Sequence, residues 1–160
     1  MEQFLSQNSE IILKLTLAVG LGLLVGVERF LVHRGEGAGM KTHALVSLGS
    51  AVFVLISEAV VQKYANFPGF NPIMIPSQII VGVGFLGAGS IMVYGSQLKG
   101  LTTAGGLWVM AGVGMAVGFG FYSLAVITTF LILLILILIN MLERPIKKIT
   151  EERNQPKSSS

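Results

Sequence analysis

The sequence predicts an all-α membrane protein with about five transmembrane helices. Of its 160 residues, 52% are hydrophobic and 12% are charged, and the mean hydropathy is +0.77. These values are far from those of a soluble domain and typical of a polytopic membrane protein. Five apolar segments are long enough to cross the hydrocarbon core of a bilayer as helices, which takes about 17 to 25 residues. They lie near 9–27, 43–61, 76–94, 103–119 and 122–142.

These segments form one membrane domain at residues 1–143, followed by a short basic tail at 144–160, which we expect to be disordered. The first segment has Glu2 and Glu10 at its flank, without a positive cluster or an A-x-A site after it. We therefore expect it to stay attached and not to be cleaved as a signal peptide. The chain has no cysteine, which excludes disulfides, thiolate metal sites and cysteine nucleophiles.

Lysine and arginine predict the orientation of the five spans. They are concentrated in the first connection, the third connection and the tail, whereas Lys63 alone marks the second connection. The residues concerned are Arg29, Arg34, Lys41, Lys99, Arg144, Lys147, Lys148, Arg153 and Lys157. The positive-inside rule then predicts an outside amino terminus and a cytoplasmic carboxy terminus.

The stretch GVGFLGAG at 82–89 matches the G-x-G-x-x-G pattern of dinucleotide-binding loops. Such a loop needs a preceding strand and an acidic residue about 20 positions later, but these glycines lie inside a predicted span and no acidic residue follows before Glu143. Helices in lipid associate through close packing of small residues. We therefore interpret these glycines as helix-packing positions, together with a small-residue pair in the first span and a tryptophan in the fourth. The predicted packing set is Gly22, Gly26, Gly82, Gly84, Gly87, Ala88, Gly89 and Trp108.

The fourth span has small side chains on nearly every side, and Gly112, Ala116 and Gly120 give it a small-xxx-small series. We expect this helix to be central and the Leu- and Ile-rich fifth helix to be peripheral. Trp108 lies inside the fourth span, away from the interfaces where tryptophan is usual. We expect it to fill the space that the glycines leave, the alternative being a pocket-lining role.

A weak internal repeat relates the first two spans to the third and fourth. Gly22 corresponds to Gly84, and the Gly-x-x-Thr sequence at 39–42 corresponds to that at 100–103. Both halves run in the same direction, so the helix pairs 1–2 and 3–4 would form a parallel repeat, with the fifth helix outside it. Chance similarity between glycine-rich helices is the alternative.

Polar residues around these Gly-x-x-Thr sequences form the candidate functional cluster. Thr42 or Thr103 can cap the amino terminus of its span, and the repeat places both termini on the cytoplasmic side, where Glu28 could reach them. The predicted cluster contains Glu28, Arg29, Lys41, Thr42, His43, Thr102 and Thr103. The alternative is that the charged side chains snorkel to the headgroups and the threonines only cap. For Glu58, near the outer end of the second span, an interfacial position is favoured over a cation site.

Four blocks of sequence resemble the MgtC/SapB family of membrane proteins. They are GVER at 26–29, AGMKTHALV at 38–46, GVGFLGAG at 82–89 and KGLTTA at 99–104, with Trp108 following. Their order and spacing fit over about residues 9–143. One departure is Lys41, where the family often has Arg, which puts a bidentate contact there in doubt. The resemblance covers the membrane domain alone, and we expect no carboxy-terminal soluble domain.

The resemblance implies a multi-pass protein of the bacterial inner membrane that acts in adaptation to low magnesium. Family members are described both as magnesium transporters and as regulators of other membrane proteins. Magnesium needs one or two carboxylates facing each other, and this chain has no Asp, while Glu28 and Glu58 are predicted at opposite ends. We therefore favour regulation through binding of membrane partners, with cation transport as the alternative and Glu28 as the candidate Mg²⁺ ligand.

No arrangement of nucleophile and base predicts an enzyme, and we expect no cofactor and no nucleic-acid partner. The expected partners are the lipid bilayer, further copies of the chain in a homo-oligomer, and another integral membrane protein. The small packing surfaces on the helices are the sequence feature that favours such contacts.

Overall fold

The computed structural model describes residues 6–33, 37–64, 71, 73–95 and 97–154, with His33 and residues 143–154 described by their backbone alone. Five helices and one hairpin make up the described chain. The helices are α1 (Ser9–His33), α2 (Met40–Tyr64), α3 (Met74–Gly89), α4 (Leu101–Gly118) and α5 (Tyr122–Asn154). Strands β1 (Met92–Tyr94) and β2 (Gln97–Lys99) pair antiparallel between α3 and α4.

Four of the helices are long and apolar enough to cross a membrane, which confirms the predicted all-α membrane fold. Their apolar parts are Ser9–Val32, Met40–Tyr64, Leu101–Gly118 and Tyr122–Leu142. The remaining helix, α3, has 16 residues, which give a rise of about 24 Å, less than the hydrocarbon thickness of about 30 Å.

The third predicted span, 76–94, is wrong at its carboxy-terminal end. The helix stops at Gly89, and Met92–Tyr94 is a strand whose Val93 is paired with Leu98. The hydroxyl and the backbone N–H of Ser90 both donate to the carbonyl of Gly87, at 2.7 and 3.0 Å. Gly95 then takes a φ of +59° in the turn between the strands, a conformation that glycine adopts without steric cost.

The predicted positions of the last two helices are confirmed. In the most apolar window of α4, 56% of the residues are buried, compared with 11% in that of α5. Leu107, Met110, Val113 and Val117 of α4 are almost fully buried, and Val25 of α1 completes this core. Helix α4 is therefore the centre of the bundle, and α5 lies at its periphery.

The backbone of α5 continues past the apolar part as far as Asn154. The expectation of a disordered tail is therefore wrong for residues 144–154, which prolong the helix that begins at Tyr122. Residues 155–160 and Arg34 lie outside the described residues.

Three of the predicted packing glycines lie where helices touch. A Cβ at Gly22 would lie 2.7 Å from Ala44 Cα, and one at Gly26 would lie 2.5 Å from Met40 Cα, so α1 and α2 meet backbone to backbone. A Cβ at Gly87 would lie 3.6 Å from Ala104 Cβ, which places this residue between α3 and α4.

The other members of the predicted packing set do not pack inside the bundle. Gly82, Gly84, Ala88 and Gly89 are exposed on α3, because this helix turns Ile79, Val83 and Gly87 inward instead. Trp108 is 54% exposed and does not fill the space that we expected it to occupy. Because α3 and α4 are apolar all round, their sequences gave no periodic signal to distinguish the two faces.

The small-residue contact of α4 with α2 also differs from the predicted series. Gly114 lies against the Ser47 carbonyl, and a Cβ at Gly118 would lie 2.7 Å from Val54 Cβ. Gly112 instead faces open space, and Gly120 has a φ of +78° in the turn before α5, although Ala116 is buried as expected. The contact positions are thus two residues away from the predicted glycines.

Corresponding positions of the predicted repeat have different environments. Gly22 is packed against α2, whereas Gly84 has open space beside it. Thr103 is 5% exposed, whereas Thr42 is exposed. The parallel repeat of helix pairs stays a prediction. These corresponding residues do not have equivalent contacts.

Candidate functional site

A buried arginine joins α1 to α4 near one end of the bundle. Arg29, at the end of α1, is 5% exposed, and its Nη2 donates to Thr103 Oγ1 at 3.3 Å. Gly37 covers the same threonine from the connection between α1 and α2, with a φ of +86°, and a Cβ there would lie 3.3 Å from Thr103 Oγ1. Thr103 is therefore enclosed by two parts of the chain that are distant in sequence.

His43, in the first turn of α2, is fully buried beside this pair. Its Nδ1 lies 2.9 Å from the Gly39 carbonyl oxygen, and because a carbonyl can only accept, Nδ1 carries the donated proton. Nε2 points toward Gly106 of α4, where a Cβ would lie 3.2 Å away. Within the described chain Nε2 has no hydrogen-bond partner.

Glu28 supplies a carboxylate at the same end. Both of its carboxylate oxygens are buried, and neither accepts a hydrogen bond from a described residue. Arg29 interacts electrostatically with Glu28 and with His43. We call Glu28, Arg29, His43 and Thr103 the Arg29 cluster, in which a carboxylate, a guanidinium and an imidazole come together.

Three predicted members lie outside this cluster. Lys41, Thr42 and Thr102 are exposed, because successive residues of a helix point about 100° apart and His43 and Thr103 occupy the inward positions. The capping prediction is also wrong. The N-cap of α4 is Gly100, with a φ of 92° and no side-chain capping bond, and Thr42 lies inside α2, which begins at Met40.

A second polar site, near the opposite end of the bundle, was missed by the sequence analysis. Lys14, five residues into α1, is 6% exposed. Its Nζ lies 3.2 Å from Glu10 Oε1 and 3.6 Å from Glu58 Oε2. The Glu10–Lys14 spacing of four residues is a helical ion-pair signal and could have predicted part of this site.

Lys14 and Glu58 face an open cleft of about 1020 Å³ to which all five helices contribute. Ser57, Gln62 and Tyr122 are further polar residues in its walls. We call this the Lys14 cleft. The side chain of Glu58 is 38% exposed, which is compatible with the expected interfacial position, and its pairing with a lysine was not predicted.

The carboxylates of the described residues do not converge on one point. Among these residues no group of three or more His, Asp or Glu is placed to hold a metal ion. Glu28 lies at one end of the bundle, and the other pair of carboxylates already flanks an ammonium group. The described residues therefore do not supply several carboxylates for Mg²⁺, and Glu28 as a magnesium ligand stays a prediction.

Four membrane-length apolar helices and charged residues buried among them define a multi-pass membrane protein. Its family follows from comparison with known sequences. The sequence model of the MgtC family matches residues 15–145, so the chain belongs to the MgtC family, and the resemblance found in the four sequence blocks is confirmed.

Similar proteins come from several bacteria. A protein of Escherichia coli (strain K12) named "Putative magnesium transporter YhiD" is 39% identical over 131 residues, which cover 81% of this chain and 60% of that protein. "Protein MgtC" of Salmonella typhimurium (strain LT2) is 43% identical over 122 residues, or 76% of this chain and 49% of that protein. "Uncharacterized protein slr0014" of Synechocystis is 40% identical over 125 residues, or 78% of this chain and 50% of that protein.

The chain thus spans about half to three fifths of the length of these relatives. No solved structure matches it.

Proposed function

We propose that this chain is a non-enzymatic protein of the bacterial inner membrane that acts in adaptation to low magnesium by binding membrane partners. The partners are further copies of the chain or another integral membrane protein. The amino terminus lies outside and the carboxy terminus in the cytoplasm, as the distribution of lysine and arginine favours. Membership of the MgtC family and the name of the Escherichia coli relative support the link to magnesium.

Exposed glycines on α3 and α4, with Trp108 beside two of them on α4, carry the proposal. Added Cβ atoms at Gly84, Gly105 and Gly112 would meet nothing within 4 Å. Trp108 lies on the same side of α4 as the last two glycines, at i+3 from one and i−4 from the other, and is 54% exposed in mid-helix. Glycines allow close approach of another transmembrane helix, and the indole ring offers a large contact surface to it.

The interior of the bundle favours this role over ion conduction. Gly114 of α4 lies against the backbone of Ser47 of α2, so these central helices leave no room for a hydrated ion between them at that level. Mg²⁺ gives up its water reluctantly. At the other end of the bundle, the Lys14 ammonium also lies between the carboxylates of Glu10 and Glu58.

Site-specific photo-crosslinking in membranes tests the partner role. A photoreactive residue in place of Trp108 is expected to give discrete crosslinked products, and the additional change Gly112→Leu is expected to weaken them. A photoreactive residue at Leu131, which is 50% exposed on the peripheral α5, is the matched control. Equal crosslinking from both positions, unaffected by Gly112→Leu, would contradict the proposal.

The same variant tests whether this surface is needed for growth at low magnesium. In a host without its own family member, Gly112→Leu is expected to impair growth at low magnesium while the amount of membrane-inserted protein stays normal. Growth equal to that with the unchanged chain would argue against a functional contact at this face.

Cation transport is the second candidate, favoured by the two buried carboxylate oxygens of Glu28, which accept no hydrogen bond from a described residue. The test is Mg²⁺ entry into liposomes that contain the purified chain and a trapped indicator. Uptake above that of empty liposomes, abolished by Glu28→Gln, would establish transport and overturn the preference for regulation. No uptake by folded, inserted protein is the result expected here.

A further inference from the structure

An apolar groove runs between α2 and α3, and none of the residues that line it lines the Lys14 cleft. Its volume is about 780 Å³. The walls are mainly apolar, with Leu45 and Phe53 on α2 and Val83 and Leu86 on α3. Lys41 and Thr42, the first polar residues of α2, line one end of it.

Glycines on both walls keep the groove open. Gly49 of α2 and Gly82 of α3 both line it, and an added Cβ at either residue would meet nothing within 4 Å. Side chains at these positions would therefore project into the groove, which none of the described residues fills. Residues that line a void between helices lack dispersion contacts on that side. An apolar molecule that fits between the helices supplies these contacts and is stabilised by them.

The length of the groove matches one leaflet of a bilayer. From Thr42 to Phe53 the wall on α2 advances 11 residues, or about 17 Å at 1.5 Å per residue, and the wall on α3 from Leu86 to Met74 advances a similar distance. Half of the hydrocarbon core is about 15 Å. The groove thus begins at a cationic residue near one end of α2 and ends near the middle of the membrane.

We propose that this groove binds an anionic phospholipid. Its phosphate contacts the ammonium of Lys41 and the hydroxyl of Thr42, and one acyl chain lies between α2 and α3 past Gly49 and Gly82. Basic residues between transmembrane helices at the membrane surface attract anionic headgroups. This binding accounts for Lys41 and Thr42, which face the groove and do not join the Arg29 cluster.

Native mass spectrometry of the full chain in detergent tests the site. With equal amounts of phosphatidylglycerol and phosphatidylethanolamine added, we expect one retained lipid, with phosphatidylglycerol favoured. Lys41→Gln should lower the retention of phosphatidylglycerol roughly fivefold, the factor that one lysine near an anionic surface supplies. Lys63→Gln, at the other end of the same helix, is the charge control and should change nothing.

A second pair of variants tests the acyl-chain position without altering charge. Gly82→Leu fills the groove and should lower the retention of both lipids, whereas Gly20→Leu projects into open space on α1 and should have no effect. Helical content measured by circular dichroism shows that each variant is folded.

Three results would overturn the proposal. The first is equal retention of the two lipids that Lys41→Gln does not change. The second is full retention of phosphatidylglycerol by folded Gly82→Leu. The third is a dimer without bound lipid that Gly82→Leu dissociates, which would make a second copy of the chain the occupant of the groove.

Discussion

The two polar sites lie near opposite ends of the bundle and neutralise buried charge in different ways. In the Arg29 cluster, Arg29 and His43 are 5% and 0% exposed, and the guanidinium donates to the neutral hydroxyl of Thr103. In the Lys14 cleft, the lysine is paired with two carboxylates whose side chains are 75% and 38% exposed. One site is enclosed, and the other opens to its surroundings.

This difference predicts different energetic roles. Removing one partner from an enclosed charged cluster leaves an uncompensated buried charge, which is expensive. Removing Lys14 from its cleft costs less, because the two carboxylates that it leaves behind are 75% and 38% exposed and can be screened by water and salt. The Arg29 cluster should therefore determine stability, whereas the Lys14 cleft can change its ion pairs at low cost.

Disrupting the contact between α2 and the central helix α4 is expected to have the largest effect on the free energy of unfolding. A side chain in Gly114→Val would collide with the Ser47 backbone, and overpacking against backbone costs about 3 kcal/mol. Gly112→Val, two residues away and facing open space, should not lower the free energy of unfolding, because valine is no worse a helix former than glycine. Thermal unfolding in detergent, followed by far-ultraviolet ellipticity, compares the two, and equal unfolding temperatures would refute the close α2–α4 contact.

Breaking the enclosed site should have the next largest effect. Arg29→Met removes the cation that interacts with Glu28 and should lower the free energy of unfolding by about 3 kcal/mol. The double variant Glu28→Gln/Arg29→Met should recover part of this loss, because the carboxylate no longer lacks a cation. The same unfolding measurement checks both, and a double variant less stable than Arg29→Met would contradict the coupling of the two charges.

A smaller matched pair serves as a control for this site. Thr103→Val removes the hydroxyl on α4 that accepts a hydrogen bond from Arg29 Nη2, and should lower the free energy of unfolding by about 1 kcal/mol. Thr102→Val, at the exposed neighbouring position, should cost close to nothing. An equal cost for the two would show that burial of Thr103 does not matter to stability.

The sequence predicted where the helices lie along the chain better than it predicted which way their side chains point. Hydropathy located the five helices, since apolar length is a property of a local window. It extended the third span into β1 because Met92, Val93 and Tyr94 are themselves apolar. The family blocks led to Arg29 and Thr103, which the structure brings together at 3.3 Å.

Faces of helices could not be predicted in the same way. Helix α4 is apolar all round, so Gly112 and Gly114 are equivalent in the sequence, although one is open and the other lies against Ser47. Trp108 is exposed for the same reason. Lys41 and His43 are two residues apart and point to different sites, a distinction that depends on where α3 and α4 lie against α2.

The open site should show the smallest effect and a dependence on salt. Lys14→Met keeps an apolar stem in the wall of the cleft and leaves Glu10 and Glu58 without the ammonium between them. We expect a loss of about 1 kcal/mol in the free energy of unfolding at low salt. At about 1 M salt the screening length falls to roughly 3 Å, so most of this loss should disappear.

Comparison with the enclosed site makes this prediction specific. The loss caused by Arg29→Met should persist at high salt, because mobile ions do not reach a cluster buried between helices. Lys63→Met, which removes an exposed lysine from the end of α2, controls for the change in net charge and should have little effect at either salt concentration. If the Lys14→Met loss were as large and as insensitive to salt as the Arg29→Met loss, the Lys14 cleft would be a second enclosed cluster, and the contrast between the two ends would fail.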